Sequence, residues 1–224
     1  MPGSRPGRSN EPYTRSVMDR GRVEAFSDGV FAVAITLLAL NLAVAGPGNG
    51  PLLQQLAHQW PAFASYVVSF FMIGIVWVNH HSLFRQFSHV DRMLLFANLL
   101  LLLFVVAIPF ATATLADYLL SGGQDARVAG ALYALVLEGM ALSFTVMFAH
   151  AVRSGLLKVS IPREDWRAVI LRFGVGSLVY LVAFALAFVW APLVLIVAGL
   201  TALYYVFERV SIEDGPSVET GGPD

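Results

Sequence analysis

Apolar residues run through this chain in long blocks separated by short polar breaks. A helix needs about 20 mostly apolar residues to cross the hydrocarbon core of a bilayer. Six blocks reach or approach that length: residues 23–45, 61–84, 93–115, 128–152, 168–190 and 193–207. The first ends at Gly46-Pro47-Gly48, a sequence that stops a helix. The stretch from Leu52 to Trp60 reads as an interfacial lead-in to the second. Pro109 lies in the third block and predicts a kink or an end there. The fourth carries Glu138. Only Ala191 and Pro192 separate the fifth from the sixth, which predicts a tight hairpin. The expected fold class is an all-α membrane protein with six transmembrane helices per subunit.

Composition agrees with that pattern. Charged residues make up 13% of the 224 residues, hydrophobic residues 57%, and the mean hydropathy is +0.70. Soluble domains carry about 25% charged residues. Six spans with short loops use nearly the whole chain, so no large soluble domain is expected. Residues 1–15 are polar and rich in Pro, Gly and Arg, without the apolar core or cleavage site of a signal peptide. They read as a disordered cytoplasmic tail, as do residues 211–224. Residues 16–210 form the transmembrane domain.

Charge placement sets the orientation. With the N-terminus inside, every Lys and Arg except Arg127, of 14 in all, falls in the N-tail, the second-to-third loop, the fourth-to-fifth loop or the C-tail. Such asymmetry marks the cytoplasmic side and predicts that both termini are cytoplasmic. It also favours an even number of spans.

Candidate chemistry is sparse. The chain has no cysteine, which excludes disulfides, thiolate metal sites and cysteine nucleophiles. His80 and His81 are adjacent, so on a helix they point about 100° apart and do not readily ligate one metal. No HExxH, nucleophile elbow or glycine-rich phosphate loop is present. These absences argue against an enzyme. No metal, cofactor or nucleic-acid partner is expected. Asp28 and Glu138 stand out as acidic residues inside spans, where an unpaired polar group is expensive.

The first span contains a stripe. At about 100° per residue, Val33, Leu37 and Leu40 lie within about 60° of one another. Phe26 and Gly29 extend the stripe, and Thr36 sits on its edge. Asp28 falls about 140° from Val33. Periodicity alone leaves lipid contact, core packing and a pore axis all open for this stripe.

Three motifs narrow the choice. Arg22-x-x-x-Phe26-Ser27-Asp28 opens the first span, Trp77-Val78-Asn79-His80-His81 lies in the second, and a leucine run ending in Pro109-Phe110 with Thr112 lies in the third. In this order they resemble the transmembrane protein 175 family of potassium channels, in its bacterial single-repeat branch. The resemblance covers about residues 15–210. It implies a homotetramer in a prokaryotic-type plasma membrane, permeable to K+, with the first helix of each subunit lining a central pore. It also implies that Val33, Leu37 and Leu40 form rings of apolar side chains at the constriction, with Thr36 as a polar pore-lining neighbour. The first ring is often Ile or Leu in the family, and Val33 is smaller. Ser27 and Asp28 face away from the stripe and can hydrogen-bond the second and third helices, with Trp77 and His80 or His81 as donors. Arg22 belongs to the same structural set, with its partner open. The alternative from the residues is a proton-coupled or other secondary transporter using Asp28, His80 and Glu138 as a relay.

Overall fold

In the computed structural model, residues 20–159 and 161–213 are described; the predicted tail 1–15 and residues 214–224 lie outside them. The described chain is helical. Its elements are α1 (Arg20–Leu38), α2 (Leu52–His58), α3 (Trp60–Gln86), α4 (Arg92–Tyr118), α5 (Gly123–Arg153), α6 (Trp166–Phe173), α7 (Val175–Ala187) and α8 (Pro192–Glu213). A 3-10 turn at Ala39–Asn41 finishes the first helix, and another at Arg163–Asp165 precedes α6.

Four helices among the described residues are long and apolar enough to span a membrane: Arg20–Asn41, Trp60–Gln86, Arg92–Tyr118 and Gly123–Arg153. Gly176–Ala187 and Pro192–Tyr205 are apolar but shorter. The fifth expected span is therefore not one continuous helix. Its first half is α6, with the sequence Trp-Arg-Ala-Val-Ile-Leu-Arg-Phe, and the chain breaks at Gly174 before α7 begins. The Gly174 amide donates back to the carbonyls of Ile170 and Leu171, closing α6. A segment that mixes arginines with apolar residues has a polar face to keep in water, so it does not continue the buried span. At 13 residues, α7 is about 20 Å long, short of a full crossing by itself.

Three further boundaries differ from expectation. The first helix stops at Asn41 rather than residue 45. Beyond it, the Gly46–Gly50 turn is held by Asn49 and Gln55, whose amides donate to the carbonyls of Ala45, Gly46 and Gly50. The fourth helix begins at Gly123, and α8 runs on to Glu213 through residues assigned to the tail. Of the two outcomes expected at Pro109, a kink or an end, the end does not occur: α4 continues to Tyr118.

The core is the α4–α5 pair, which makes the most extensive helix contact. Phe104 of α4 packs where Gly139 of α5 offers no side chain; a Cβ at Gly139 would overlap the ring. Buried beside this contact, Ser69 of α3 meets Thr112 at 2.8 Å and Tyr133 at 2.9 Å. α7 packs on α5 and α8, and α8 also reaches α3. α1 packs against α3 and α4.

One end of the bundle is tied together by its loops. Phe87 and Leu157 form an antiparallel bridge, with Ser88 N donating to Leu156 O at 2.7 Å and Lys158 N to Gln86 O at 2.8 Å. Asp91 caps α4 through the Leu94 amide at 2.7 Å and pairs with His150 at 2.8 Å. Burial pushes the Asp91 carboxyl up, but these two hydrogen bonds prevail and hold it below the ordinary range. Arg20 donates to Phe87 O at 3.0 Å. Arg85, Arg92, Arg153 and Lys158 gather at this same end.

The Gly139–Phe104 contact predicts that Gly139→Ala destabilises the protein by about 1–3 kcal/mol, because the Phe104 ring must leave its seat to admit the methyl. Thermal unfolding in detergent measures this. Gly74→Ala, where nothing lies within 4 Å of the added carbon, is the control. Adding Phe104→Leu should recover part of the loss. Equal midpoints for Gly139→Ala and the unaltered protein would refute the contact as a packing constraint.

Candidate functional site

The roll of α1 about its own axis is fixed by one buried face. Val23, Ser27, Phe31, Ala34 and Leu38 are buried, following the helical repeat. Ser27 is fully enclosed, and its hydroxyl donates to Val23 O at 2.9 Å. It accepts from Asn98 Nδ2 of α4 at 3.0 Å. Asn98 Oδ1 in turn meets His80 Nε2 of α3 at 2.8 Å. The chain of hydrogen bonds has a single direction, because the Asn98 amide donates on one side and must accept on the other. His80 therefore carries its proton on Nε2. Its Nδ1 is buried without a hydrogen-bond partner, so a proton there would be an unsatisfied donor in the core. The His80 ring stacks on Phe84 at 4.3 Å and lies 5.4 Å from Phe31 of α1.

Two further contacts flank this chain. Trp77 Nε1 donates to Asp28 Oδ1 at 2.8 Å. His81 Nδ1 lies 2.7 Å from Glu24 Oε1, one helical turn before Asp28. Adjacent His80 and His81 thus serve different partners on α1 and α4. Arg22 is exposed and makes no hydrogen bond or ion pair among the described residues. The role of base anchor falls instead to Arg20, through Phe87 O.

The opposite face of α1 is open. Leu40 is 75% exposed, Val33 55% and Leu37 37%, and Phe26 and Gly29 continue the stripe below them. Leu40 sits in the 3-10 turn rather than in the α-helix proper. Thr36 is exposed beside the stripe, and its hydroxyl donates to Val33 O at 2.8 Å, which leaves its oxygen lone pairs facing outward. Leu38, one residue around the helix from Leu37, is 1% exposed.

Glu138, on α5, is remote from this face. It accepts a short hydrogen bond from Ser177 of α7 and touches neither Asp28 nor His80. No relay links the three. Among the described residues, no three His, Cys, Asp or Glu side chains converge as a metal site would require.

Sequence reasoning missed Asn98 and Glu24. Asn98 is the one polar residue in an apolar run from Met93 to Ala107, a position that is expensive unless bonded. Glu24 shares a helix face with Asp28 at a spacing of four.

Asn98→Leu should cost more than Asp28→Asn, because it orphans both Ser27 and the His80 N–H in the core, at about 1–3 kcal/mol per group. Unfolding midpoints in detergent test the order. A milder loss for Asn98→Leu would mean the hydrogen-bond chain does not hold α1 in place.

The family model described as the endosomal/lysosomal potassium channel TMEM175 matches residues 22–109, the stretch that holds α1, α3 and the Asn98 half of α4. A protein of Streptomyces collinus named a potassium channel is 49% identical over 209 residues, covering 92% of this chain and 98% of that one. The crystal structure of a lysosomal potassium-selective channel TMEM175 homolog from Chamaesiphon minutus superposes with a TM-score of 0.74. It has 36% identity and covers 84% of this chain and 97% of that one. A chicken protein named the endosomal/lysosomal proton channel TMEM175 is 36% identical over 108 residues, 44% of this chain and 22% of its own. With a near full-length relative at that identity and a matching channel fold, the chain belongs to the TMEM175 family of membrane channels.

Proposed function

We propose that this protein is a homotetrameric, K+-permeable channel whose pore is lined by α1 of each subunit. The observation that carries the reading is the asymmetry of α1. One face is hydrogen-bonded into α3 and α4, and the opposite face presents Val33, Leu37 and Leu40 to no partner in the single chain. Four such faces around an axis make stacked apolar rings. Thr36 supplies hydroxyl oxygens beside them.

A narrow apolar neck expels water and blocks conduction until it widens or rehydrates. K+ releases its water more readily than Na+, so partial dehydration favours K+ modestly. The small Val33 ring is the widest of the three, and Leu37 and Leu40 set the restriction. The Streptomyces relative named a potassium channel matches nearly the whole chain, whereas the vertebrate protein named a proton channel shares a fraction of its length. This supports K+ as the permeant ion.

The membrane is a prokaryotic-type plasma membrane, with both termini cytoplasmic. The tied, basic end of the bundle faces the cytoplasm, and the loops near Gly48, Gly122 and Ala191 face outward. Cysteines introduced at Gly48 or Gly122 should then react with an impermeant thiol reagent added outside intact cells. Reaction only after the cells are opened reverses the orientation.

Leu40→Asn should raise liposome K+ flux and narrow the preference for K+ over Na+, since an amide from each subunit holds water in the neck. Leu37→Asn should act in the same direction. Leu38→Asn buries an amide against α3 and α4, so its effect should be poor folding. Reversal potentials in K+, Na+ and pH gradients separate the ions. Normal folding with unchanged current in both the Leu37 and Leu40 variants removes α1 from the pore, and a reversal potential that follows pH alone replaces K+ with the proton.

A further inference from the structure

Arg127 is the one Lys or Arg placed on the outer side, against the bias that gathers the other basic residues at the cytoplasmic end. It is exposed and makes no hydrogen bond or ion pair among the described residues. Asp125, its nearest acidic neighbour in sequence, lies two positions away on α5 and so points to another side of the helix. The guanidinium is left for something outside the chain.

The same residue lines a groove of about 540 Å³. The groove runs between the start of α3, the α4–α5 loop, the first turns of α5 and the α7–α8 hairpin. Leu119, Ala126 and Leu195 are buried and form its floor, whereas Trp60, Trp190 and Ile196 are exposed and form its rim. Two indoles on one rim mark the membrane–water boundary, where tryptophan settles. Lipid phosphates lie at that depth, with acyl chains directly below.

The lining defines the occupant. A guanidinium fork matches two phosphate oxygens at once. Every other lining side chain is apolar or an indole, a surface suited to an acyl chain. No acidic side chain lines the groove, so the cation of a zwitterionic headgroup would sit beside Arg127 with nothing to pair it. The volume falls in the range of about 300–1000 Å³ that holds one small bound group. It takes a headgroup and the start of one acyl chain, and the rest of the lipid stays in the bilayer.

We propose that this groove binds one anionic phospholipid of the outer leaflet, with its phosphate on Arg127 and an acyl chain over Leu119 and Leu195. The choice of leaflet rests on the cytoplasmic placement of the termini. The site and its test do not, and neither depends on which ion permeates.

The test is native mass spectrometry of the full chain, purified in detergent and given equal amounts of phosphatidylglycerol and phosphatidylcholine. The unaltered protein should hold one more phosphatidylglycerol per chain than Arg127→Gln. The basic residues of the cytoplasmic end are the same in both and contribute equally. Arg127→Lys keeps the charge and should keep that lipid. Ile196→Glu puts a carboxylate on the rim and should expel it, and this second variant decides if Arg127→Gln is not monodisperse. Equal phosphatidylglycerol counts in the unaltered protein and the monodisperse variant overturn the proposal, whether the groove is then empty or covered by a second copy of the chain. Loss of phosphatidylcholine in place of phosphatidylglycerol overturns it as well.

Discussion

A polar group inside a bilayer has no water to fall back on, and this constraint organises the molecule. The Ser27–Asn98–His80 chain is its clearest expression. Three polar side chains from three helices bond one another in a core that is mostly apolar. Apolar helices slide and rotate against each other at little cost, because lipid is as apolar as they are. A directed line of hydrogen bonds removes that freedom. It sets the depth and the roll of α1 together, since no other rotation brings Ser27 to Asn98.

Everything proposed for α1 follows from that roll. Once Ser27, Phe31 and Leu38 are turned inward, Val33, Leu37 and Leu40 are turned outward by the geometry of the helix. Asp28 with Trp77 and Glu24 with His81 hold the lower half of the helix from the side, and Arg20 holds its base. Rigidity sits on one face, and the opposite face is left smooth and apolar. The α4–α5 pair is the platform for this, locked by an aromatic ring seated where a glycine has no side chain.

Much of this was legible in the chain itself. The long apolar blocks located α1, α3, α4 and α5, because a bilayer demands length and apolarity, and both can be read directly. The stripe on α1 and the inward turn of Ser27 follow from the helical repeat and one motif. Asn98 was not found, since nothing local says which distant helix a lone amide will meet. Arg20 rather than Arg22 anchors the base because the choice rests on the position of the Phe87 carbonyl, a fact of tertiary structure. The break at Gly174 was hidden by high local hydropathy: averaging over a window conceals one arginine, Arg172, and one glycine, Gly174, among apolar neighbours. Glu138 reads as a possible relay group in sequence, yet its partner is Ser177, on the far side of the bundle.

The partner of Ser27 lies 71 residues downstream, and that of Asp28 lies 49. During synthesis α1 enters the membrane carrying Glu24, Ser27 and Asp28, long before α4 exists to receive it. Until Asn98 is made, Ser27 has no partner on α4. The order of biogenesis is thereby written into the fold: the helix made first is not locked until the third span is complete, and a chain that stalls before α4 is complete leaves α1 without its lock.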